Sequence, residues 1–147
     1  MPSLGERLQA ALNEARKSRD QARTLLFSTI LADLKNREIQ LRHTPTDEEA
    51  VEVVRRGVKQ RREAVEAYEA AGRPDRAATE KAEITALEVF LPPGASAEEI
   101  RAAVRVAIAA GAKDLGKVMG QVMPHLKGRA DGKMINQIAR EELSTAV

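Results

Sequence analysis

The sequence contains no cysteine and no tryptophan, and its only aromatic residues are Phe27, Tyr68 and Phe90. Without cysteine there can be neither a disulfide scaffold nor a thiolate metal site. The scarcity of aromatic side chains argues against the base-stacking platforms on which single-stranded nucleic acids are bound.

Long apolar runs and the common catalytic motifs are also missing. No run approaches the roughly 18 apolar residues of a membrane span, and Met1 to Ser3 do not open a secretory signal. These features predict a cytoplasmic protein with no membrane partner. The sequence has no phosphate-binding loop and no dinucleotide-binding glycine motif, and its two histidines have no partner at the spacing of a triad or metal pair. We therefore expect a protein that is not an enzyme on its own and that has no cofactor.

The pattern that fills the 147 residues is helical. Apolar residues recur at a spacing of three and four, and strand-like alternation is absent. Ser3, Thr46 and Ser96 each precede a glutamate by three residues, as in a capping box, and Asp20 and Asp131 are further N-cap candidates. Pro92, Pro93 and Gly94 interrupt the pattern. The prediction is an all-α protein with a four-helix N-terminal domain over residues 1–91 and a three-helix bundle over residues 95–147.

Two residues of the third predicted helix depart from its pattern. Gly57 lies in the middle of the helix, where glycine costs about 1 kcal/mol relative to alanine, so we interpret it as a site of close helix packing. Arg61 falls on the apolar stripe, where it is expected either to pair with a carboxylate or to extend to the edge of the stripe.

The positive charge is concentrated in the C-terminal part of the chain. Residues 1–90 contain 16 basic and 16 acidic residues, whereas residues 91–147 contain 8 basic and 6 acidic residues. The candidate nucleic-acid-binding residues cluster within positions 113–133, and they are Lys113, Lys117, Lys127, Arg129 and Lys133. A secondary basic patch lies in the third predicted helix and comprises Arg55, Lys59, Arg61 and Arg62.

Glycines accompany the C-terminal basic cluster. Gly116 and Gly120 lie one helical turn apart, so either a neighbouring helix or a phosphate or RNA backbone could approach closely there. The turn from Gly128 to Gly132 opens the last helix, whose free N–H groups would attract an anion. Asp131 opposes this, because as N-cap it would occupy the same N–H groups.

These motifs resemble those of the YqeY-like family. The resemblance covers nearly the whole chain and is carried by the following segments: Gly116 to Pro124 (GKVMGQVMP), Lys127 to Lys133 (KGRADGK) with Asn136, Lys59 to Glu63 (KQRRE), Ala71 to Asp75 (AGRPD), and the helix end at Leu91-Pro92. The C-terminal half of that family is similar to the tail domain of the B subunit of the glutamine-dependent aminoacyl-tRNA amidotransferase.

The resemblance implies a two-part helical fold and an association with glutamine-dependent carbon–nitrogen ligase activity, but it transfers no catalytic residue. It implies that Lys117, Lys127, Arg129 and Lys133 lie near RNA. It also implies that the residues that shape the turn and pack the bundle are Gly116, Gly120, Gly128, Asp131, Gly132 and Asn136.

The leading hypothesis is a noncatalytic tRNA-binding or amidotransferase-accessory module. One expected partner is tRNA, which the module would contact at the RNA backbone. The other expected partners are components of the amidotransferase or of an aminoacyl-tRNA synthetase. The alternative is a helical protein-interaction adaptor that does not bind RNA.

Overall fold

The computed structural model describes residues 1–126 and 129–146. Within these ranges the backbone forms helices and no strand, which confirms the all-α prediction. No helix in these ranges is long and apolar enough to cross a membrane. The described helices are α1 (Leu4–Lys17), α2 (Gln21–Leu41), α3 (Asp47–Ala70), α4 (Pro74–Glu88), α5 (Ala97–Ala109), α6 (Leu115–Leu126) and α7 (Gly132–Thr145).

Five of these helices begin at the N-cap residues that the sequence predicts. In each case the side-chain oxygen accepts a hydrogen bond from a backbone N–H two or three residues further on, as in Ser3, Asp20, Thr46, Ser96 and Asp131. At Thr46 the bond is reciprocal, because the Glu49 carboxylate accepts from the Thr46 N–H at 3.0 Å. Local hydrogen bonding thus sets the starts of these helices.

The chain divides into two compact units, Met1–Leu91 and Pro92–Val147. In the first unit, α3 packs extensively on α4 and α1 packs on α2. The side chains that are almost completely buried there come from all four helices, and they include Leu8, Phe27, Ile30, Val54 and Leu87. The rings of Phe27 and Phe90 meet edge to face with their centroids 5.6 Å apart.

The second unit has its own apolar core. Helices α5, α6 and α7 each contact the other two. Their inward faces contribute fully buried side chains, which include Ile100, Val104, Val118 and Ile135. Three short helices therefore bury one shared core.

The packing of α3 explains both of its unusual residues. A Cβ atom at Gly57 would lie 3.1 Å from Ile30 Cδ1 and 3.3 Å from Arg61 Nη1, which confirms that the glycine permits close packing. Arg61 donates through Nε to Glu83 at 2.7 Å and through Nη1 to the Gly57 carbonyl at 2.9 Å. Of the two alternatives for Arg61, the ion pair is confirmed.

Candidate nucleic-acid interface

The first part of the predicted interface is the start of α6. The Asp114 carboxylate accepts a hydrogen bond from the Lys117 backbone N–H at 2.8 Å and thereby satisfies one of the free donors of the helix. The Lys117 ammonium is 3.9 Å from the other oxygen of the same carboxylate, with both side chains more than half exposed. Such an exposed pair contributes about 0–1 kcal/mol, so Asp114 holds Lys117 only weakly. Lys113 is exposed immediately before the helix.

Gly116 and Gly120 leave the backbone of α6 uncovered. A Cβ atom at Gly120 would meet no other atom of the described chain within 4 Å, and one at Gly116 would meet only Asp114 Oδ1 at 3.5 Å. Among the described residues, no neighbouring helix therefore packs against these two glycines, and the packing alternative has no support there. The two positions are exposed on the same helix as Lys117.

The second part of the predicted interface is the start of α7. Asp131 accepts from the Lys133 N–H at 3.1 Å, and the Lys133 side chain is exposed. The carboxylate occupies the end of the helix to which an anion would bind, as the sequence predicts. Lys127 and Gly128 were predicted to belong to this part, and they lie outside the described residues.

Arg129 has a partner that the sequence did not indicate. Its Nη2 donates to Glu99 Oε2 at 2.8 Å, and its carbonyl accepts from the Ala95 N–H at 2.7 Å. Arg129 thus ties the segment before α7 to the start of α5. Glu99 was expected to complete a capping box with Ser96, but its carboxylate bonds to Arg129 instead.

Asn136 is half-buried on α7. Its side-chain oxygen accepts from Arg140 Nε at 2.7 Å. Both residues line a shallow depression of about 500 Å³, which also includes Gly132 and Lys133. Asn136 therefore orients a surface arginine through its side-chain oxygen.

Two of the four residues of the secondary basic patch pair with acidic side chains of α4. Arg61 is paired with Glu83, and its side chain is only 15% exposed. Arg62 lies 3.8 Å from Glu88 across an exposed pair. Arg55 is half-buried and Lys59 is exposed. Through its bond to Glu83, Arg61 joins α3 to α4.

Comparison with known proteins gives the family of this chain. The sequence model of the family described as "Yqey-like protein" matches residues 5–143. The chain belongs to the YqeY-like family. The resemblance noted in the sequence is thereby confirmed.

Two relatives of this YqeY-like protein carry the same name, "Altered inheritance of mitochondria protein 41, mitochondrial". The protein of Eremothecium gossypii is 31% identical over 123 residues, which cover 78% of this chain and 67% of the relative. The protein of Pyrenophora tritici-repentis is 27% identical over 141 residues, which cover 92% of this chain and 78% of the relative. Both names contain the word mitochondrial, and this finding contradicts the cytoplasmic location predicted from the sequence.

The YqeY-like chain also has a charged cluster that the sequence analysis missed. Glu142 of α7 is only 8% exposed, and its carboxylate accepts from Arg101 Nη1 at 2.7 Å and from Arg105 Nε at 3.0 Å. The hydrogen bonds from Arg105 and then Arg101 lower the pKa of Glu142 below its ordinary value. The sequence does contain a pattern that indicates this cluster. Arg101 and Arg105 lie one helical turn apart, and Glu142 continues the spacing of the buried residues Ile135, Ile138 and Ala139.

Within residues 1–126 and 129–146, no three histidine, aspartate or glutamate side chains lie together in a way that could hold a metal ion.

Proposed function

We propose that this YqeY-like protein is a noncatalytic tRNA-binding or amidotransferase-accessory module whose second unit, Pro92–Val147, contacts the RNA. We further propose that this unit is the domain similar to the amidotransferase tail. Components of the amidotransferase or of an aminoacyl-tRNA synthetase are the protein partners that this function requires.

The observation that carries the proposal is the surface at the start of α6. Lys113 and Lys117 are exposed beside the uncovered backbone of Gly116 and Gly120. The glycines lower the helix propensity of α6 and gain no packing among the described residues, so a close-approaching ligand is the reason that fits them. An RNA backbone has the complementary charge, and it needs no aromatic platform.

A tRNA titration with charge-reversal variants tests the proposal. Lys113→Glu and Lys117→Glu, combined in the full chain, should weaken binding at least tenfold at low salt. Arg76→Glu is the matched control, because Arg76 is exposed on α4 in the other unit and should leave binding within about twofold. The proposal would be refuted if the unmodified protein did not bind tRNA. It would also be refuted if the combined lysine variant and the Arg76→Glu control weakened binding equally.

A protein-interaction adaptor is the second candidate function. It is favoured by the partners of Arg129, Arg101 and Arg105, whose charges are engaged by Glu99 and Glu142 and add little free positive charge to the surface. A pull-down with and without nuclease separates the two functions. Protein partners that persist after nuclease treatment, together with indifference of the purified chain to tRNA, would favour the adaptor.

A further inference from the structure

A small polar cleft lies between α2 and α3 in the first unit, and none of its lining residues is one used above for RNA. Its volume is about 200 Å³. Its polar lining comes from both helices and comprises two guanidinium groups, three carboxamides and one carboxylate, from Arg37, Arg56, Asn36, Gln40, Gln60 and Asp33. Val53 and the bare backbone of Gly57 complete it.

The two arginines keep hydrogen-bonding capacity for a ligand. Neither Arg37 nor Arg56 is close enough to a carboxylate to form an ion pair within the part of the chain that the structure describes, although the charge of Arg37 is among the causes that lower the pKa of Glu49. Arg37 Nη1 donates to Gln40 Oε1 at 3.3 Å, and this bond uses the carboxamide oxygen and leaves the Gln40 amide N–H groups as donors. The lining therefore offers mainly donors, from one guanidinium on each helix and from the N–H groups of the carboxamides.

The chemistry of this lining favours a phosphate group. Guanidinium groups bind phosphate with two parallel N–H···O bonds, and a tetrahedral anion can accept from both walls at once. A planar carboxylate has two oxygens in one plane and satisfies a single guanidinium best. Asp33 opposes any anion, but its charge is exposed to solvent, and two guanidinium groups line the same cleft.

We propose that the α2–α3 cleft is a phosphate-binding site, with Arg37 and Arg56 as its principal ligands. The bound group is either free inorganic phosphate or a phosphate of a larger molecule such as RNA. This site does not depend on the RNA surface of the second unit, because the two share no residue.

Titration of the full chain with inorganic phosphate, followed by nuclear magnetic resonance of the backbone amides, tests the site. Ionic strength is held constant with sodium chloride. Saturable shifts should appear in residues 33–40 and 53–60. Because each guanidinium would donate charge-assisted hydrogen bonds to the phosphate, Arg37→Gln and Arg56→Gln should each weaken binding about tenfold or more.

The sign of the Asp33→Asn effect is the sharpest control. Removal of this carboxylate should tighten phosphate binding, whereas a site for a cation would lose affinity. Arg56→Lys keeps the charge and should retain part of the affinity, which distinguishes loss of charge from loss of structure. Arg76→Gln, outside the cleft, should change nothing.

Three results would overturn the proposal. They are the absence of saturable shifts in the cleft, an equal response to acetate, and weaker binding in Asp33→Asn. A parallel titration with tRNA identifies the source of the phosphate. Shifts of the cleft residues that inorganic phosphate reverses indicate RNA, and tRNA binding that leaves these residues unchanged indicates a free phosphate; both support the site.

Discussion

At the scale of single residues, the most informative side chain is Glu142. It is the one buried charged residue within the described ranges, and two arginines of α5 satisfy it. A buried carboxylate is tolerated when it is hydrogen-bonded and paired, and removal of its partners would leave an uncompensated charge. The ionised form of Glu142 therefore links α7 to the two arginines of α5.

The stability of the second unit should accordingly depend on pH through Glu142. Because the folded-state pKa lies below the ordinary value of 4.5, its stabilisation is complete above that value and is lost as the pH falls through the folded pKa. Glu142→Gln should thus lower the melting temperature at pH 7, and the difference from the unmodified protein should shrink in acid. Thermal unfolding by circular dichroism between pH 2.5 and pH 7 measures this. A difference that stays constant with pH would contradict the role of the charge.

Glycines in two helices should respond oppositely to substitution. Gly120→Ala should raise the free energy of unfolding by about 1 kcal/mol, because alanine favours the helix and the added Cβ meets nothing within 4 Å among the described residues. Gly57→Val should lower it by about 1–3 kcal/mol, since the larger side chain would crowd Ile30 and displace Arg61 from the Gly57 carbonyl. Urea unfolding of each variant checks both values.

The pair of substitutions also separates packing from function. If Gly120 serves the approach of RNA, then the stabilised Gly120→Ala variant should bind tRNA less well. A variant that is more stable and binds tRNA equally well would show that the bare backbone is not used.

At the scale of the element, the best-defined helix start is that of α3. Thr46 and Glu49 form a reciprocal capping box, and the backbone hydrogen bond with Thr46 is the main cause of the lowered pKa of Glu49. Asp47, the first residue of the same helix, accepts from the Leu4 N–H of α1 at 3.0 Å. The start of α3 therefore also fixes the start of α1.

Thr46→Ala should lower the free energy of unfolding of the first unit by about 1 kcal/mol, because it leaves the Glu49 N–H without its acceptor. Urea unfolding gives the value, and Thr79→Ala is a suitable control because Thr79 only donates to a carbonyl within α4. Equal losses in the two variants would show that the cap contributes nothing specific.

At the scale of the whole molecule, the salt dependence of tRNA binding distinguishes backbone contacts from other contacts. Each phosphate contact with duplex RNA or DNA is expected to release counterions, with a slope of log affinity against log salt of about −0.9 per contact for B-form duplexes. Replacing Lys113, Lys117 and Lys133 with glutamine should reduce the steepness of that slope by about two to three. Fluorescence anisotropy at four salt concentrations measures it. An unchanged slope would place the RNA elsewhere.

Much of the fold was predictable because its signals are local. A capping side chain and its N–H lie two or three residues apart, and an apolar stripe repeats within one helix, so the sequence alone determines where most helices begin and which face they bury. Ser3, Thr46 and Ser96 show this for the starts, and Leu8 and Ile135 for the buried faces. The basic cluster within residues 113–133 and the glycines beside it were likewise predictable, because their positions can be read directly from the sequence.

The partners of the charged side chains were decided by the tertiary structure. Arg61 bonds to Glu83, 22 residues away; Arg129 bonds to Glu99, 30 residues away; and Arg101 bonds to Glu142, 41 residues away. Spacing within one helix carries no information on such pairs, because they depend on which helix faces meet and at what height along their axes. The sequence by itself therefore determined the helices, the family and the region of positive charge. Only the packing of those helices decided which charges are neutralised, which glycines are covered, and where a cleft opens between α2 and α3.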